Sequence, residues 1–556
     1  MAMEMKNLGC PVDFAASRLR MSLAQSCGKC VPCRVGLARL QEMLEGVLAG
    51  EGDLKLVEET AKSVYESADC AIGFEAAKGV LDSLAEHRDD YLSHLEKGVC
   101  TASFAGVPCQ HGCPAHVNVP GYVALVGAGR YADAVRVIRE DNPFPSACGL
   151  VCEHPCEKVC RRNVVDDAIN IRALKRYAVE HAGVVPPPKS APKVGKSVGI
   201  VGGGPAGLTA AYFLALRGFD VTVFEKREKL GGMLRYGIPA YRLPDRDLDF
   251  DIDAILATGV KVETGVAIGT DISFDDFRKR FDAVYLSIGA HGAKSLRIDG
   301  EDAEGVLSAV ALLRNPQGFD FCGKRVVVVG GGNVAMDATR TARRLGAKSV
   351  TCVYRRRIVD MTALPDEIAG AQAEGCEIVQ LMAPVRIAAK GGRVTGLVVK
   401  PQIVGPVKGG RPAPMDADVP ETTIPCDIVI GAIGQKVDAT GLDLAAEGVF
   451  VGGDCDYGPA TVVKAIAAGK EAAKEIAASL GVGNRESGIS GDPIEIPAAG
   501  PQQRLHWGRV NMQERPAAER ANDFDLMEKC LTDEEARQEC SRCLRCDHCG
   551  YGAFRK

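Results

Sequence analysis

The stretch Ser197-Val-Gly-Ile-Val-Gly-Gly-Gly-Pro-Ala-Gly207 decides the fold of the central part of the chain. A short apolar strand runs into three glycines with the spacing G-x-G-x-x-G, and a helical pattern follows. Such glycines let the backbone turn tightly and approach a pyrophosphate at the helix N-terminus. A second strand, residues 220–224, leads to Glu225, an acid placed to hydrogen-bond ribose hydroxyls. The pattern predicts a dinucleotide-binding fold.

The same pattern returns after Arg325-Val-Val-Val-Val329, although its third glycine has become Ala335. The next strand, residues 349–354, ends in Arg355-Arg-Arg357 rather than in an acid. An acid there would repel a 2′-phosphate, whereas guanidinium groups grip one bidentately. The second site is therefore predicted to bind NADP(H). A solvated charge run beside a structural turn is the alternative interpretation.

A third stretch, Gly448-Val-Phe-Val-Gly-Gly-Asp454, predicts a strand that aims Asp454 at a flavin ribityl chain. A helix beginning at about Thr461 would face the isoalloxazine and stabilise negative charge on the reduced ring. Two nested dinucleotide folds in one chain predict FAD in the first and a nicotinamide nucleotide in the second.

Composition excludes several classes of function. The 556 residues predict several domains, and 46% hydrophobic residues are ample for packed cores. A formal net charge of −5 and 5% aromatic residues argue against nucleic-acid binding. The first residues lack a signal-peptide pattern, and no stretch of about 18 apolar residues occurs. We therefore expect a cytoplasmic chain with no membrane insertion.

The 22 cysteines point to metal rather than to disulfides, which belong to short secreted chains. Fifteen of them fall into three tight groups, and the scattered ones are interpreted as small buried apolar residues. The first group is Cys27, Cys30, Cys33 and Cys70. C-x2-C-x2-C wraps three corners of a 4Fe–4S cube and a distant cysteine completes it, whereas zinc ligands usually form two separated pairs.

The other two groups lie on either side of the dinucleotide folds. The second group comprises Cys100, Cys109, Cys113, Cys148, Cys152, Cys156 and Cys160. The third group comprises Cys540, Cys543, Cys546 and Cys549. Together with the first group they predict three to four 4Fe–4S clusters.

Further motifs connect these features to known proteins. They are Gly231-Gly-Met-Leu-Arg-Tyr-Gly-Ile-Pro239, Val353-Tyr-Arg-Arg356, Gly431-Ala-Ile-Gly-Gln435, Gly453-Asp454 and Gly458-Pro459. With these motifs, residues 100–480 resemble the small subunit of glutamate synthase and its relatives. Those relatives include the large subunit of NADH-dependent ferredoxin:NADP oxidoreductase and the N-terminal half of dihydropyrimidine dehydrogenase. The stretch between Gln435 and Asp454 is shorter than this family leads us to expect, so its strands are expected to be trimmed.

The first cysteine group carries a second resemblance. Residues 26–36 and 67–73 are similar to the cluster domain of the NADH-binding subunit of respiratory complex I. The FMN and NADH domain of that subunit has no counterpart here, so the resemblance does not imply NADH oxidation.

The glutamate synthase resemblance implies two clusters in the second group. Cys109 and Cys160 would serve one cluster, and Cys113, Cys152 and Cys156 the other. The family's C-x2-C before Cys109 is absent, with only Cys100 nearby. Lys175 stands where relatives offer Glu or Gln as a ligand, and an ammonium group cannot ligate. Cys148 or a water-derived ligand would then fill that corner.

Two interpretations of the third group remain open. The sequence favours an independent cluster held by its own four cysteines. Alternatively, Cys543 and Cys546 supply the pair that Cys109 and Cys160 lack. Arg542-Cys-Leu-Arg-Cys546 resembles the phrase that opens the family's N-terminal cluster region.

The expected fold is α/β, with two nested Rossmann-like domains between α-helical iron–sulfur domains and a short C-terminal cluster segment. The expected boundaries are 1–98 and 99–183 for the two helical cluster domains, 197–290 with 431–480 for FAD, 291–430 for NADP(H), and 481–556 for the extended tail. Cofactor contacts are expected at Gly202, Gly204, Pro205, Ala206, Gly207, Glu225, Lys226, Gly232, Met233, Arg235, Gly237, Ile238, Gly289, Gly330, Gly332, Asn333, Val334, Ala335, Arg355, Arg356, Gly434, Gly453, Asp454, Thr461 and Val462.

These features predict an NADP(H)-dependent oxidoreductase subunit that exchanges hydride with FAD and single electrons with clusters and partner proteins. Ferredoxin and electron bifurcation are part of this expectation, and no acid–base catalytic residue is. The alternatives are a glutamate synthase-type NADPH reductase and an electron-wiring subunit with catalysis elsewhere. A disulfide reductase is discounted, because no two cysteines lie close in sequence between residues 197 and 480.

Overall fold

The computed structural model describes residues 10–97, 107–408, 411–482, 494–497 and 508–547. Within these residues no helix combines the length and apolar character that a membrane crossing needs. Two parallel five-stranded sheets form the centre of the molecule. Helices precede the sheets, and a largely irregular segment with two helices follows them. The α/β architecture predicted from the glycine motifs is thereby confirmed.

Five helices, α1 to α5, form the N-terminal unit: Pro11–Gln25, Ala38–Leu48, Leu54–Ser67, Ala71–Glu86 and Arg88–Lys97. A short π-helix, Pro32–Leu37, leads into α2. Leu37, Leu40 and Leu44 are fully buried, because spacings of three and four residues place them on one helical face. This unit has a hydrophobic core of its own.

Six helices, α6 to α11, form the next unit: Pro108–His111, Val119–Gly127, Tyr131–Arg139, Pro145–Val151, Pro155–Lys158 and Ile171–Ala182. Their buried side chains belong to the same hydrophobic core as those of the first sheet, so Tyr122 and Leu174 share a cluster with Tyr212 and Phe219. These helices are therefore packed against the first dinucleotide fold over a continuous apolar surface.

The first dinucleotide fold begins with alternating strands and helices. Strands β1 to β4 are Ser197–Val201, Asp220–Glu225, Lys261–Thr264 and Ala283–Leu286. Helices α12 to α15 are Pro205–Leu216, Met233–Tyr236, Asp245–Leu256 and Phe274–Arg278. In the sheet β1 lies between β2 and β4, β3 pairs with β2, and all pairs are parallel.

The second dinucleotide fold is inserted after β4. Strands β5 to β9 are Gly292–Ala293, Val306–Ser308, Arg325–Val329, Ser349–Tyr354 and Glu377–Gln380. Helices α16 to α18 are Ala309–Arg314, Asn333–Arg344 and Pro365–Ala373. Strands β10 to β15 are Met382–Lys390, Arg393–Lys408, Arg411–Asp416, Thr422–Pro425, Ile428–Gly431 and Gln435–Lys436. The parallel sheet has the order β6-β14-β7-β8-β9, and β10 to β13 form an antiparallel sheet beside it.

The chain then returns to the first sheet. Strand β16, Val449–Val451, pairs in parallel with β4. Helices α19 and α20, Asp454–Tyr457 and Val462–Ser479, follow it. Helix α20 crosses α12 at Gly469, where a Cβ atom would lie 2.2 Å from the carbonyl oxygen of Ala206. The glycine therefore permits a close helix–helix approach at the first nucleotide motif.

The C-terminal segment contains helices α21 and α22, Ala517–Arg520 and Asp533–Ser541. The side chain of Thr532 caps α22 by accepting a hydrogen bond from the Glu535 backbone N–H. The segment expected to be extended thus contains one short helix, α21, before α22.

Buried ion pairs join this segment to the second dinucleotide fold. The carboxylate of Glu374 pairs with Arg344 at 2.6 Å, with Arg520 at 2.9 Å and with Arg340. Arg340 also pairs with Glu367 at 2.6 Å. Because the side chains of Arg340, Arg344 and Glu374 are wholly inaccessible, each charge depends on its partners for stabilisation.

We expect Glu374→Gln to lower the stability of the protein strongly, because it leaves three guanidinium groups short of one negative charge. Breaking a buried ion pair costs about 3–5 kcal/mol, or roughly 5–15 °C in Tm for a unit of this size. Glu421→Gln is the matched control, since its pair with Arg386 is exposed and contributes less than about 1 kcal/mol. Thermal unfolding measures both variants, and equal shifts would contradict the ion-pair argument.

Candidate cofactor sites

The first phosphate loop is the turn from β1 into α12. Gly202 has a φ of +111°, and a Cβ atom on Gly207 would lie 2.0 Å from the Gly202 carbonyl oxygen. Both positions therefore require glycine. The carboxylate of Glu225, at the end of β2, accepts a hydrogen bond from the Gly203 N–H at 2.8 Å. The predicted ribose-binding acid thus lies directly against the loop.

The loop that starts α13 packs on the same turn. Gly232 has a φ of +53°, and its Cβ atom would lie 2.7 Å from the Cα of Gly204. The Arg235 side chain donates to the Leu230 carbonyl at 2.6 Å and pairs with Asp245 at 2.9 Å. The structure therefore brings the expected 231–239 motif onto the phosphate loop.

The Gly-Gly-Asp stretch also reaches this loop. A Cβ atom on Gly453 would lie 2.9 Å from the Cβ of Ala206 in the first turn of α12. Burial raises the pKa of Asp454, whose carboxylate accepts a hydrogen bond from the Ala460 N–H at 3.2 Å. Thr461 is the N-cap residue of α20, and its side chain makes no capping hydrogen bond. The segment that leads into α20 thus lies beside the first nucleotide motif, and the expected contact of the helix N-terminus with the isoalloxazine stays a prediction.

The second phosphate loop is the turn from β7 into α17. A Cβ atom on Gly331 would lie 2.3 Å from the ring of Tyr354, so the tyrosine at the end of β8 excludes any larger residue. Ala335 is fully buried in α17 where the first motif has its third glycine. The side-chain amide of Asn333, the first residue of α17, accepts from the Leu364 N–H at 2.9 Å. Gly434 lies beside Lys294 near the connection between the two folds, with a φ of +112°.

The three arginines after β8 are not equivalent. Arg355 is exposed and makes no hydrogen bond or ion pair with the residues that the structure describes. Arg356 donates through Nε to the Pro412 carbonyl at 2.9 Å. Arg357 forms a bidentate pair with Asp360 at 2.8 and 2.9 Å. The pairing with Asp360 occupies Arg357, so Arg355 and Arg356, the two arginines expected to contact the nucleotide, stay the predicted 2′-phosphate ligands.

The first cysteine group gathers at the N-terminus of α4. Cys70 is the N-cap residue of α4, and Cys30 and Cys33 interact with each other. Burial, together with hydrogen bonding to Cys30, raises the pKa of Cys33 to about 11. Cys27 is exposed and precedes Gly28, whose φ is +69°.

Four cysteines of the second group surround one buried ammonium group. Lys175 on α11 is 7% exposed. Burial alone would lower the pKa of Lys175, but its four electrostatic neighbours raise it above its ordinary value. Those neighbours are Cys148, Cys152, Cys113 and Cys156. Hydrogen bonding from Cys148 lowers the pKa of Cys152 to about 6. The structure therefore places Cys148 with the other three thiols, and its role as the fourth ligand stays a prediction.

The remaining cysteines come from opposite ends of the chain. Cys109, Cys160, Cys543 and Cys546 all line one small cavity. The other residues that line it are Val107, Pro108, Pro120, Arg161, Arg162, Ile169, Ile171 and Leu544. Cys540 packs instead on Gly127, where a Cβ atom would lie 3.3 Å from the Cβ of Cys540. This arrangement does not support the favoured interpretation of an independent C-terminal cluster. Cys100 and Cys549 lie outside the described residues.

The chemistry of the cysteine groups fits cubane clusters. In the described part of the chain no three potential ligands converge closely enough to bind a single metal ion. A cube separates its ligands, because each thiolate binds a different iron atom. Left-handed residues also turn the backbone between paired cysteines: Gly28 at φ +69°, His154 at +40° and Arg545 at +48°. Non-glycine residues adopt this conformation only where the surrounding structure enforces it.

One contact that the sequence does not indicate connects the clusters to the nucleotide sites. Glu153 follows Cys152 directly, and its carboxylate accepts a hydrogen bond from the Asn333 side-chain amide at 2.7 Å. Asn333 begins the helix of the second phosphate loop. The loop that carries Cys152 therefore lies against the N-terminus of α17.

Comparison with known protein families gives the same order of units along the chain, with two iron–sulfur regions before the dinucleotide folds. Residues 13–94 match the family described as NADH-ubiquinone oxidoreductase-F iron–sulfur binding region. Residues 97–184 match dihydropyrimidine dehydrogenase domain II, 4Fe–4S cluster, and residues 196–469 match pyridine nucleotide-disulphide oxidoreductase.

Two relatives match nearly the whole chain, and a third matches about two thirds of it. The NADP(+)-dependent formate dehydrogenase subunit beta of Moorella thermoacetica is 34% identical, over 95% of this chain and 89% of its own. The NADPH-Fe(3+) oxidoreductase subunit beta of Geobacter sulfurreducens is 34% identical, over 96% and 90%. The glutamate synthase [NADPH] small chain of Escherichia coli is 33% identical, over 66% and 87%.

We expect the buried ammonium group of Lys175 to favour electron uptake by a cluster held among its four cysteine neighbours. Reduction adds negative charge, which a nearby cation stabilises. Lys175→Met should therefore lower the reduction potential of that cluster, by on the order of 100 mV. A redox titration followed by electron paramagnetic resonance (EPR) measures the shift. Lys158→Met, at an exposed position, is the control. An unchanged or raised potential in Lys175→Met would contradict this expectation.

Proposed function

The chain belongs to the family of flavin and iron–sulfur oxidoreductases that includes the formate dehydrogenase and NADPH-Fe(3+) oxidoreductase beta subunits and the glutamate synthase small chain, and from this membership we propose its reaction. The chain exchanges a hydride between NADP(H) and FAD, and FAD exchanges single electrons with clusters held by the cysteine groups. FAD occupies the fold of β1 and α12, and NADP(H) occupies the fold of β7 and α17.

The contact between Glu153 and Asn333 carries this proposal. It holds the loop between Cys152 and Cys156 against the second phosphate loop. A second set of contacts fixes the same helical unit to the first fold, where Asp251 on α14 accepts from the Ser146 and Ala147 N–H groups at 3.1 and 2.8 Å. The helix that carries Cys148 is thus anchored to one nucleotide fold, and the loop that carries Cys152 to the other.

The chemistry of hydride transfer agrees with the residues at these sites. Transfer between a nicotinamide and a flavin needs stacking and orientation more than an acid or a base. The glycine loops, Glu225 and Asp454 would position FAD, and Asn333, Arg355 and Arg356 would position NADP(H). The N-terminus of α20 would stabilise the anionic reduced flavin.

Partners are part of the proposal. Both relatives from Moorella thermoacetica and Geobacter sulfurreducens are named as beta subunits. The N-terminal unit carries a cysteine group of its own besides the cysteines next to the nucleotide folds, whereas a reductase with one small acceptor needs a single exit. We therefore propose that the chain is the NADP(H) module of a larger electron-transfer complex, with ferredoxin as a candidate partner and bifurcation as a candidate mode. Anaerobic size-exclusion chromatography of the native protein tests this, since elution as a lone chain with full ferredoxin-linked activity would contradict it.

Among the described residues of the two dinucleotide folds, no reactive cysteine pair supports the alternative of a disulfide reductase. Cys352 and Cys376 are electrostatic neighbours there, yet both are buried. Burial raises the pKa of each thiol to about 12, so neither is a reactive thiolate near neutral pH.

The test of the core proposal is anaerobic reduction of the isolated chain. NADPH should bleach the flavin absorbance stoichiometrically, because both nucleotide sites lie in one chain. Cluster signals should then appear in EPR spectra of the same samples. A chain that only conducts electrons for another catalytic subunit would carry reducible clusters but show no bleaching by NADPH.

We further expect NADPH to be preferred over NADH, since Arg355 and Arg356 replace the acid that follows the corresponding strand of the first fold. Arg355→Ala combined with Arg356→Ala should raise the KM for NADPH roughly 10- to 1000-fold, from about 1.5–3 kcal/mol for each charged hydrogen bond, discounted for exposure. Arg357→Ala is the matched control, because its guanidinium pairs with Asp360. Equal use of both nucleotides by the unchanged protein would refute the assignment.

A further inference from the structure

The C-terminal helix α22 is docked on the helical unit by buried polar contacts. The carboxylate of Glu539 is inaccessible, and it accepts hydrogen bonds from the Asn170 N–H at 2.6 Å and the Val510 N–H at 2.9 Å. Cys540 in the same helix packs on Gly127 of α7. Helix α22 therefore has one defined position, which fixes where the following residues begin.

Arg542 extends this docking to the residue before Cys543. Its side chain is 1% exposed and donates to the Asp167 carbonyl at 2.6 Å and to Glu539 at 2.6 Å. It also pairs with Asp166 at 3.2 Å. Asp166 and Asp167 follow Cys160 by only a few residues. The two chain segments that carry Cys160 and Cys543 are therefore held together by a buried guanidinium group.

The backbone between Cys543 and Cys546 turns at a left-handed residue, Arg545. Arg545 has a φ of +48°, a conformation that side chains other than glycine rarely adopt. Its guanidinium is anchored by the Pro497 carbonyl at 2.8 Å and by Asp547 at 2.9 and 3.0 Å. Gly28 turns the backbone in the same way between Cys27 and Cys30 of the first group. The turn at Arg545 brings Cys543 and Cys546 to one cavity.

That cavity is also lined by Cys109 and Cys160 of the helical unit. Cys109 is the second residue of α6, and Cys160 follows α10. Apart from the four cysteines, Arg161 and Arg162, the residues that line the cavity are apolar. Four thiols around an apolar cavity form the donor set that a 4Fe–4S cluster uses.

We propose that Cys543 and Cys546 complete one 4Fe–4S cluster with Cys109 and Cys160, so that the C-terminal segment supplies half of the ligands. This inference rests on the proposed function in that it assumes a cluster-bearing chain. It assigns the cavity to a cubane cluster that two distant segments must assemble. Cys540 and Cys549 are then not ligands.

Iron content decides between this cluster and an independent C-terminal one. With the shared cluster, the three cysteine sets give about 12 irons per chain, and Cys109 and Cys546 serve the same four irons. An independent cluster would be held by Cys540, Cys543, Cys546 and Cys549, so Cys109 would have no part in its iron. Anaerobically purified variants Cys109→Ser and Cys546→Ser should each lose about four irons and the same EPR signal. Cys540→Ser is the matched control, because Cys540 lies near the end of α22, just before Cys543. This variant should retain both the iron and the EPR signal. Cys30→Ala should also lose about four irons, but with the loss of a different EPR signal, because Cys30 belongs to the first cysteine group.

The double variant Cys109→Ser with Cys546→Ser gives the sharpest result. Loss of about four irons, as in either single variant, means that the two cysteines serve one cluster. Loss of about eight irons, or loss of iron by Cys540→Ser, overturns the proposal. Retention of one FAD per chain shows that each variant is folded. Because iron counting uses no NADPH, failure here is distinguishable from failure of the proposed hydride transfer.

Discussion

Glu374 lies in the interior with three guanidinium groups around its carboxylate, and the placement of the other units follows from this pairing. Two of the arginines belong to α17, and the third, Arg520, belongs to the C-terminal segment. A buried charge without its partner would lower the stability of the protein, so the C-terminal segment is held firmly against the second dinucleotide fold. Further along, Glu528 pairs with Arg172 and Arg176 on α11, which extends the same constraint to the helical unit.

The glycine motifs allowed both nucleotide folds to be predicted, because a phosphate loop is a local structure. Gly202, Gly207 and Gly331 are each required by atoms close in the fold, and the strands around them show their apolar pattern directly. The sharing of one cavity by distant cysteines was only the less favoured alternative, drawn from the resemblance of residues 542–546 to a family motif and not from local structure. Cys109 and Cys543 are brought together by Arg542 and Glu539, whose buried contacts have no local signature in the sequence. For the same reason the contact between Glu153 and Asn333 could not be predicted from the sequence.

Two sets of four thiols occupy different electrostatic environments in this molecule. One set encloses the ammonium group of Lys175 in the interior. The other lines an apolar cavity at whose wall Arg161 and Arg162 lie, and Arg162 is already paired with Asp166 at 2.6 Å. A cation without a carboxylate partner stabilises added negative charge more than one that is neutralised locally. On the proposed ligand sets, the protein therefore offers unequal electrostatic sites to two clusters of the same type, and such a difference gives direction to electron transfer.

The docking of α22 has a consequence for the order in which the molecule is made. Cys109 and Cys160 are translated before both nucleotide folds, whereas Cys543 and Cys546 are translated after them. Synthesis of the intervening chain takes on the order of tens of seconds at the usual rates of elongation. During that time the early thiols wait in a nascent chain without the pair that shares their cavity. On the proposed ligand set, the cluster can be inserted only after both folds and the C-terminal segment have been translated. Iron at this site therefore shows that translation of the chain has finished.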